Sequence, residues 1–139
     1  MKTLIIDRKK WGRGRTGGSL LTDEFSEVTG KMCCLGFFSR NCGFKPKEIR
    51  GIGLPEEVIE NLMNDVDTYG TMTKAETKEK LFNKLKKRGF DLKSFKKIGT
   101  GLANKLALIN DNTDTTDETK ERKITELFGK VGIKVKFVN

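Results

Sequence analysis

Met32-Cys33-Cys34-Leu35-Gly36-Phe37-Phe38 is the longest uninterrupted apolar run in this chain, and it has no polar face to turn toward water. Met32, Leu35, Phe38 and Cys42 recur near helical spacing and Gly43 follows as a left-handed stop, so Lys31 to Cys42 is expected to form a helix. A helix that is apolar on nearly all sides belongs at the centre of a core. Gly36, with no side chain, lets a second element approach it closely. Seven residues fall far short of the roughly 20 that span a bilayer, so the run is a core element and no membrane partner is expected.

The rest of the chain is arranged around that helix. Thr3 to Ile6 is β-branched and apolar and reads as a short strand, with Leu20 and Leu21 as candidates to pair with it. Between them, Arg8-Lys9-Lys10-Trp11-Gly12-Arg13-Gly14-Arg15-Thr16-Gly17-Gly18 carries four glycines and reads as an exposed, irregular basic loop. Pro55, followed by Glu56 and Glu57 at the positive end of a helix, opens a second helix to Asn64. Thr73-Lys74-Ala75-Glu76 is a capping box, and the helix it starts has a narrow apolar stripe of Leu81, Phe82 and Leu85 among lysines before Gly89 stops it. Leu106 to Ile109 is read as a strand, Asn110-Asp111-Asn112-Thr113-Asp114 as a turn, and Thr115-x-x-Glu118 as a second capping box. Ile124, Leu127, Phe128 and Val131 keep helical period up to Gly132. Ile133, Val135 and Phe137 then alternate with Lys134 and Lys136 as a half-exposed strand. The expected architecture is a single α+β domain over residues 1–139, in which N- and C-terminal strands form a small sheet packed with about four helices. The basic Gly-rich loop (8–18) and a Lys-rich helical elaboration (about 64–98) decorate it.

Lys and Arg number 28 against 19 acidic residues, a net charge of +9, and the excess is concentrated. Residues 1–18 hold six Lys or Arg against one Asp, and residues 74–97 hold ten against three acids, so both segments can attract polyanions. Within the first segment Arg8, Lys9, Lys10, Arg13 and Arg15 surround Trp11. They combine phosphate-pairing charge with a stacking surface, as a nucleotide or single-stranded nucleic acid requires. A solvated, mobile loop is the rival interpretation. Gly12-Arg13-Gly14-Arg15-Thr16-Gly17 matches GxGxxG without the strand-to-helix turn of a dinucleotide fingerprint, and GxxxxGK[ST] is missing.

Histidine does not occur, which removes Ser-His-Asp and Cys-His nucleophiles and His-containing zinc sites. Three cysteines, two of them adjacent, are too few for a closed zinc site and poorly placed for a disulfide framework, and Cys33, Cys34 and Cys42 read as core residues. Asp7, Asp111 and Asp114 converge on a hard cation only if the strands ending at Asp7 and Ile109 are neighbours; turn and cap roles are the alternative. Catalytic residues, metal and cofactor are therefore all assigned as none. Without an export signal after Met1, the chain is expected to work in a reducing cytoplasm.

Two segments, Gly30-Lys31-Met32-Cys33-Cys34-Leu35-Gly36-Phe37 and Ile109-Asn110-Asp111 with Glu121-Arg122, Ile124, Leu127-Phe128 and Gly132 to Val138, carry a resemblance. The chain resembles a group of small uncharacterised proteins of bacteriophages and prophages over roughly its first 55 and last 40 residues. No catalytic role transfers from that group. The resemblance implies a setting, the cytoplasm of an infected bacterium, where phage accessory proteins often sequester a host signal or block a defence protein. The expected function is a non-enzymatic counter-defence factor that sequesters an anionic nucleotide immune signal. The alternatives are a nucleic-acid-binding protein, or an inhibitor docking on an acidic host protein, either of them as a homo-oligomer or not.

Overall fold

The computed structural model describes residues 1, 3–14, 19–21 and 30–139, leaving aside the side chains of residues 66 and 67. The element order is β1 (Thr3–Asp7), α1 (Cys34–Cys42), α2 (Pro46–Ile49), α3 (Pro55–Met63), α4 (Val66–Tyr69), α5 (Lys74–Lys87), α6 (Leu92–Lys96), α7 (Thr100–Asp111), α8 (Asp117–Gly129) and β2 (Lys134–Val138). The protein is α+β, with the strands from the two ends of the chain paired as expected. Among the described residues the helices exceed the expected four, chiefly because α7 replaces a strand and α2, α4 and α6 are single turns.

β1 and β2 pair in parallel, with Leu4 opposite Val135 and Ile6 opposite Phe137. Leu4 and Ile6 are fully buried while Ile5 points outward, the two-residue alternation of a strand with one face on a core. A parallel pair needs a long crossover, and here nearly the whole chain supplies it. α8 leads into β2 through the turn at Val131 and Gly132, where Ile133 N–H returns to the Phe128 carbonyl at 3.0 Å. That turn lays α8 against β2.

α1 is the centre of the core: residues Cys34 to Ser39 and Cys42 are all buried, and α1 packs on β1, α2, α3, α6 and α7. It starts three residues later than the spacing suggests. Met32 instead forms a parallel bridge with Trp11, its N–H bound to Lys10 O at 2.9 Å and its carbonyl accepting Gly12 N–H at 2.7 Å. Gly43, at φ 122°, ends the helix as expected. Leu20 and Leu21 do not pair with β1. Leu20 N–H bonds Ile52 O, and Leu21 O accepts Gly51 N–H, because burying both leucines requires this segment to lie across α1. Gly36 is the point of crossing.

The Leu106 to Ile109 strand is corrected to part of α7. Ala103, Leu106 and Asn110 fall three and four residues apart and all are buried, so a helix hides a face that a four-residue strand would leave half exposed. Thr73 caps α5 by accepting Glu76 N–H at 3.2 Å, as expected. In α8 the cap shifts by one residue, from Thr115 to Thr116, whose Oγ1 accepts Thr119 N–H at 3.2 Å. No helix among the described residues is long and apolar enough to cross a membrane.

Asp91 fastens the start of the chain to α6. Its carboxylate accepts the Met1 ammonium at 2.6 Å and Ser94 N–H at 3.0 Å. Burial alone raises its proton affinity, but these donors outweigh burial and hold the carboxyl down at about 2, against an ordinary 3.8. A depressed carboxylate stabilises the fold fully above its unfolded value and loses that contribution as pH falls toward the folded value. Asp91→Asn is therefore expected to cost about 1–2 kcal/mol at pH 6. The difference from the unaltered protein should shrink between pH 4 and pH 2, as read by urea denaturation at each pH.

Candidate functional site

The chain leaving β1 is tied down rather than free. Asp7 turns it, its Oδ1 accepting Lys9 N–H at 3.0 Å and Asn139 Nδ2 at 3.2 Å, and the Lys9 bond is the main influence holding its carboxyl below the usual value. Trp11 then enters the core at 2% exposure, its indole N–H donating to Asn110 Oδ1 at 2.7 Å and its ring 5.0 Å from that of Phe137. Gly12 is buried as well. The exposed-loop expectation thus fails for these residues, and so does Trp11 as a stacking platform. The apolar ring gains more from burial against Phe137 than from water.

Asn110 organises this region. Its Oδ1 accepts both Trp11 Nε1–H and Cys34 N–H, and its Nδ2 donates to Gly12 O at 2.8 Å and to Asp111 Oδ1 at 3.0 Å. The Cys34 bond satisfies a free donor at the start of α1, whose own cap residue, Cys33, offers none. A side chain expected in an exposed turn is in fact a fully buried connector between α7, α1 and the basic loop.

Next to that connector is an open groove of about 610 Å³ walled by Arg8, Lys9, Trp11, Arg13, Gly14, Lys31, Thr113, Asp117 and Lys120. Of the sequence candidates, Arg8, Lys9, Trp11 and Arg13 meet here, Lys10 is exposed and not part of the wall, and Arg15 lies outside the described residues. Two of the arginines are already neutralised. Arg8 is held by both oxygens of Glu121 at 2.9 and 2.7 Å, and Arg13 Nε meets Asp117 at 2.9 Å with its guanidinium 4.5 Å from the centre of the Trp11 ring.

Lys120 is the residue that sequence reasoning missed. It is only 4% exposed, and among the described residues no hydrogen bond or ion pair engages its ammonium. Lys120, Ile124 and Phe128 are spaced by four on the buried face of α8, so a lysine in an apolar stripe was the available signal. Its stem is packed while its Nζ opens into the groove, near Gly14. Lys31 completes the wall, donating to the Lys9 carbonyl.

The other candidate chemistry is dispersed or silent. Asp7, Asp111 and Asp114 do not converge, since the strand that would align them is α7, and no cluster able to hold a metal occurs among the described residues. Burial pushes the Cys33 and Cys42 thiols up to about 12 and Cys34 well above its ordinary value, so all three are neutral, packed side chains near pH 7. A cleft of about 650 Å³ beside α3, α4 and α5 is lined by Glu60, Asp65 and Lys74, all of them exposed. α5 itself packs on α3 and α6, and none of its residues lines the basic groove.

Comparison with protein-family models, with curated proteins and with solved structures finds no match to this chain.

Proposed function

We propose that this protein is a non-enzymatic binder that captures a small phosphate-bearing anion, a nucleotide, in the groove of Lys9, Lys31 and Lys120. The carrying observation is Lys120: its packed stem holds an ammonium at the groove with no partner among the described residues, so an arriving anion meets a positioned charge without first displacing a protein carboxylate. Lys9 and Lys31 on the same wall supply two more positive charges, so the groove suits a multiply charged phosphate better than a single carboxylate. Its volume lies in the range of small-molecule sites. Lack of histidine and the neutral, buried thiols favour capture over turnover. In an infected bacterium, the setting implied by the resemblance, such capture removes a nucleotide immune signal from its receptor.

Calorimetry and thermal melting with inorganic phosphate, mono- and dinucleotides and cyclic nucleotides test the proposal. A ligand at about 100 times its Kd should raise Tm by about 10 °C. Lys120→Met keeps the packed stem and removes the charge. It should lower affinity by about 10- to 100-fold, the worth of one hydrogen bond to a charged group, while the ligand-free protein melts no earlier. Absence of heat and of any shift with every anion, or equal binding by Lys120→Met, overturns it. A nucleic-acid binder would instead lose affinity linearly in log salt with a slope set by the phosphates neutralised.

A further inference from the structure

A second surface, on the outside of α7 and α8, is built for a different kind of partner. Lys105, Leu108 and Ile109 on α7 and Lys123, Glu126 and Leu127 on α8 line a groove of about 360 Å³. Each set follows the i, i+3, i+4 spacing of one helix face, so two adjacent helices present matching stripes to the same concavity. Leu108 is 73% exposed, more than any other large apolar side chain among the described residues. Ile109 and Leu127 are partly covered and form the floor beside it. An apolar concavity between helices, walled by paired stripes, matches the profile of a third helix.

The charges around it select what that helix carries. Glu126 is occupied by Arg122 at 3.2 Å, whereas no ion pair engages Lys105 or Lys123 among the described residues. Two uncommitted ammonium groups therefore flank the apolar floor. A second copy of this chain is a poor occupant: every copy carries +9, and a two-fold contact would bring lysine rims toward each other. We propose that the α7–α8 groove docks an amphipathic helix of a partner protein, whose apolar stripe covers Leu108, Ile109 and Leu127 and whose flanking Asp or Glu residues meet Lys105 and Lys123. The surface does not share a residue with the Lys120 groove, so it stands independently of the anion reading.

The test uses two synthetic helical peptides of about 18 residues with the same leucine stripe, one flanked by glutamates and one by lysines, titrated by fluorescence anisotropy against the full chain. The acidic peptide is expected to bind about tenfold more tightly, as two rim ion pairs allow. Leu108→Glu, at a position already open to water, should keep the Tm and abolish binding. Lys105→Glu with Lys123→Glu should invert the preference between the peptides, and Lys120→Met should leave it unchanged. Binding of neither peptide, equal binding of both, or retention of binding by Leu108→Glu overturns the proposal. So does self-association in sedimentation that Leu108→Glu removes, which makes a second copy the occupant. Leu108-dependent adsorption to phosphatidylglycerol vesicles without peptide binding does the same in favour of a lipid surface.

Discussion

Gly36→Ala is expected to destabilise this protein by about 3–5 kcal/mol, by forcing a methyl group into the backbone of a crossing segment. A Cβ at position 36 would stand 1.7 Å from the Leu20 carbonyl oxygen, 2.7 Å from the Leu20 carbonyl carbon and 2.9 Å from the Met32 Cβ. Two of these obstacles are main chain and the third is the root of a side chain, so none can rotate aside. Either α1 loses its helical path or Leu20 leaves its fully buried position. Chemical denaturation reads the loss. A cost below about 1 kcal/mol, within the ordinary range for surface changes, would mean that the 19–21 segment does not cross α1 at this point.

Asn110→Ala is expected to cost about 3–4 kcal/mol, because it strands several buried partners at once. The Trp11 indole N–H and the Cys34 N–H lose their acceptor, and the Gly12 carbonyl loses a donor. Asn110→Asp keeps the shape and the acceptor but replaces the donors with an oxygen facing the Gly12 carbonyl and the Asp111 carboxylate. It should be nearly as harmful near neutral pH. Trp11 is the chain's single tryptophan, so its emission maximum reports the event directly. A red shift in the folded variant is expected as the indole gains water, together with weaker phosphate binding as the loop carrying Lys9 and Arg13 loosens. An unshifted spectrum with unchanged stability would remove Asn110 from its connecting role.

The elements legible in the sequence were those whose signal lies within a turn or two of chain. α1, α3, α5, α8 and both strands announce themselves by apolar period and by local terminators: Gly43 after α1, Pro55 opening α3, Thr73 before α5. α7 was not legible as a helix because only Leu-Ala-Leu-Ile stood out, a run too short to distinguish periods of 2 and 3.6. Its true period appears only once Asn110 is counted as a buried residue. Asparagine normally marks turns, since a buried amide is stable only with its partners satisfied. Those partners, Trp11, Gly12 and Cys34, lie 99, 98 and 76 residues away in sequence.

The candidate site divides along the same line. The sequence by itself determined that positive charge gathers around Trp11 and that no histidine-based chemistry accompanies it, since both are matters of composition and neighbourhood. Only the tertiary structure decided which of those charges remain available. Glu121, 113 residues from Arg8, neutralises it, Asp117 occupies Arg13, and α8 brings up Lys120 from beyond the basic segment. Apolar period and capping act over a few residues and can be read along the chain. Ion pairing is set by distances of 3–4 Å between segments that the chain itself keeps far apart, so it exists only after the core has placed them.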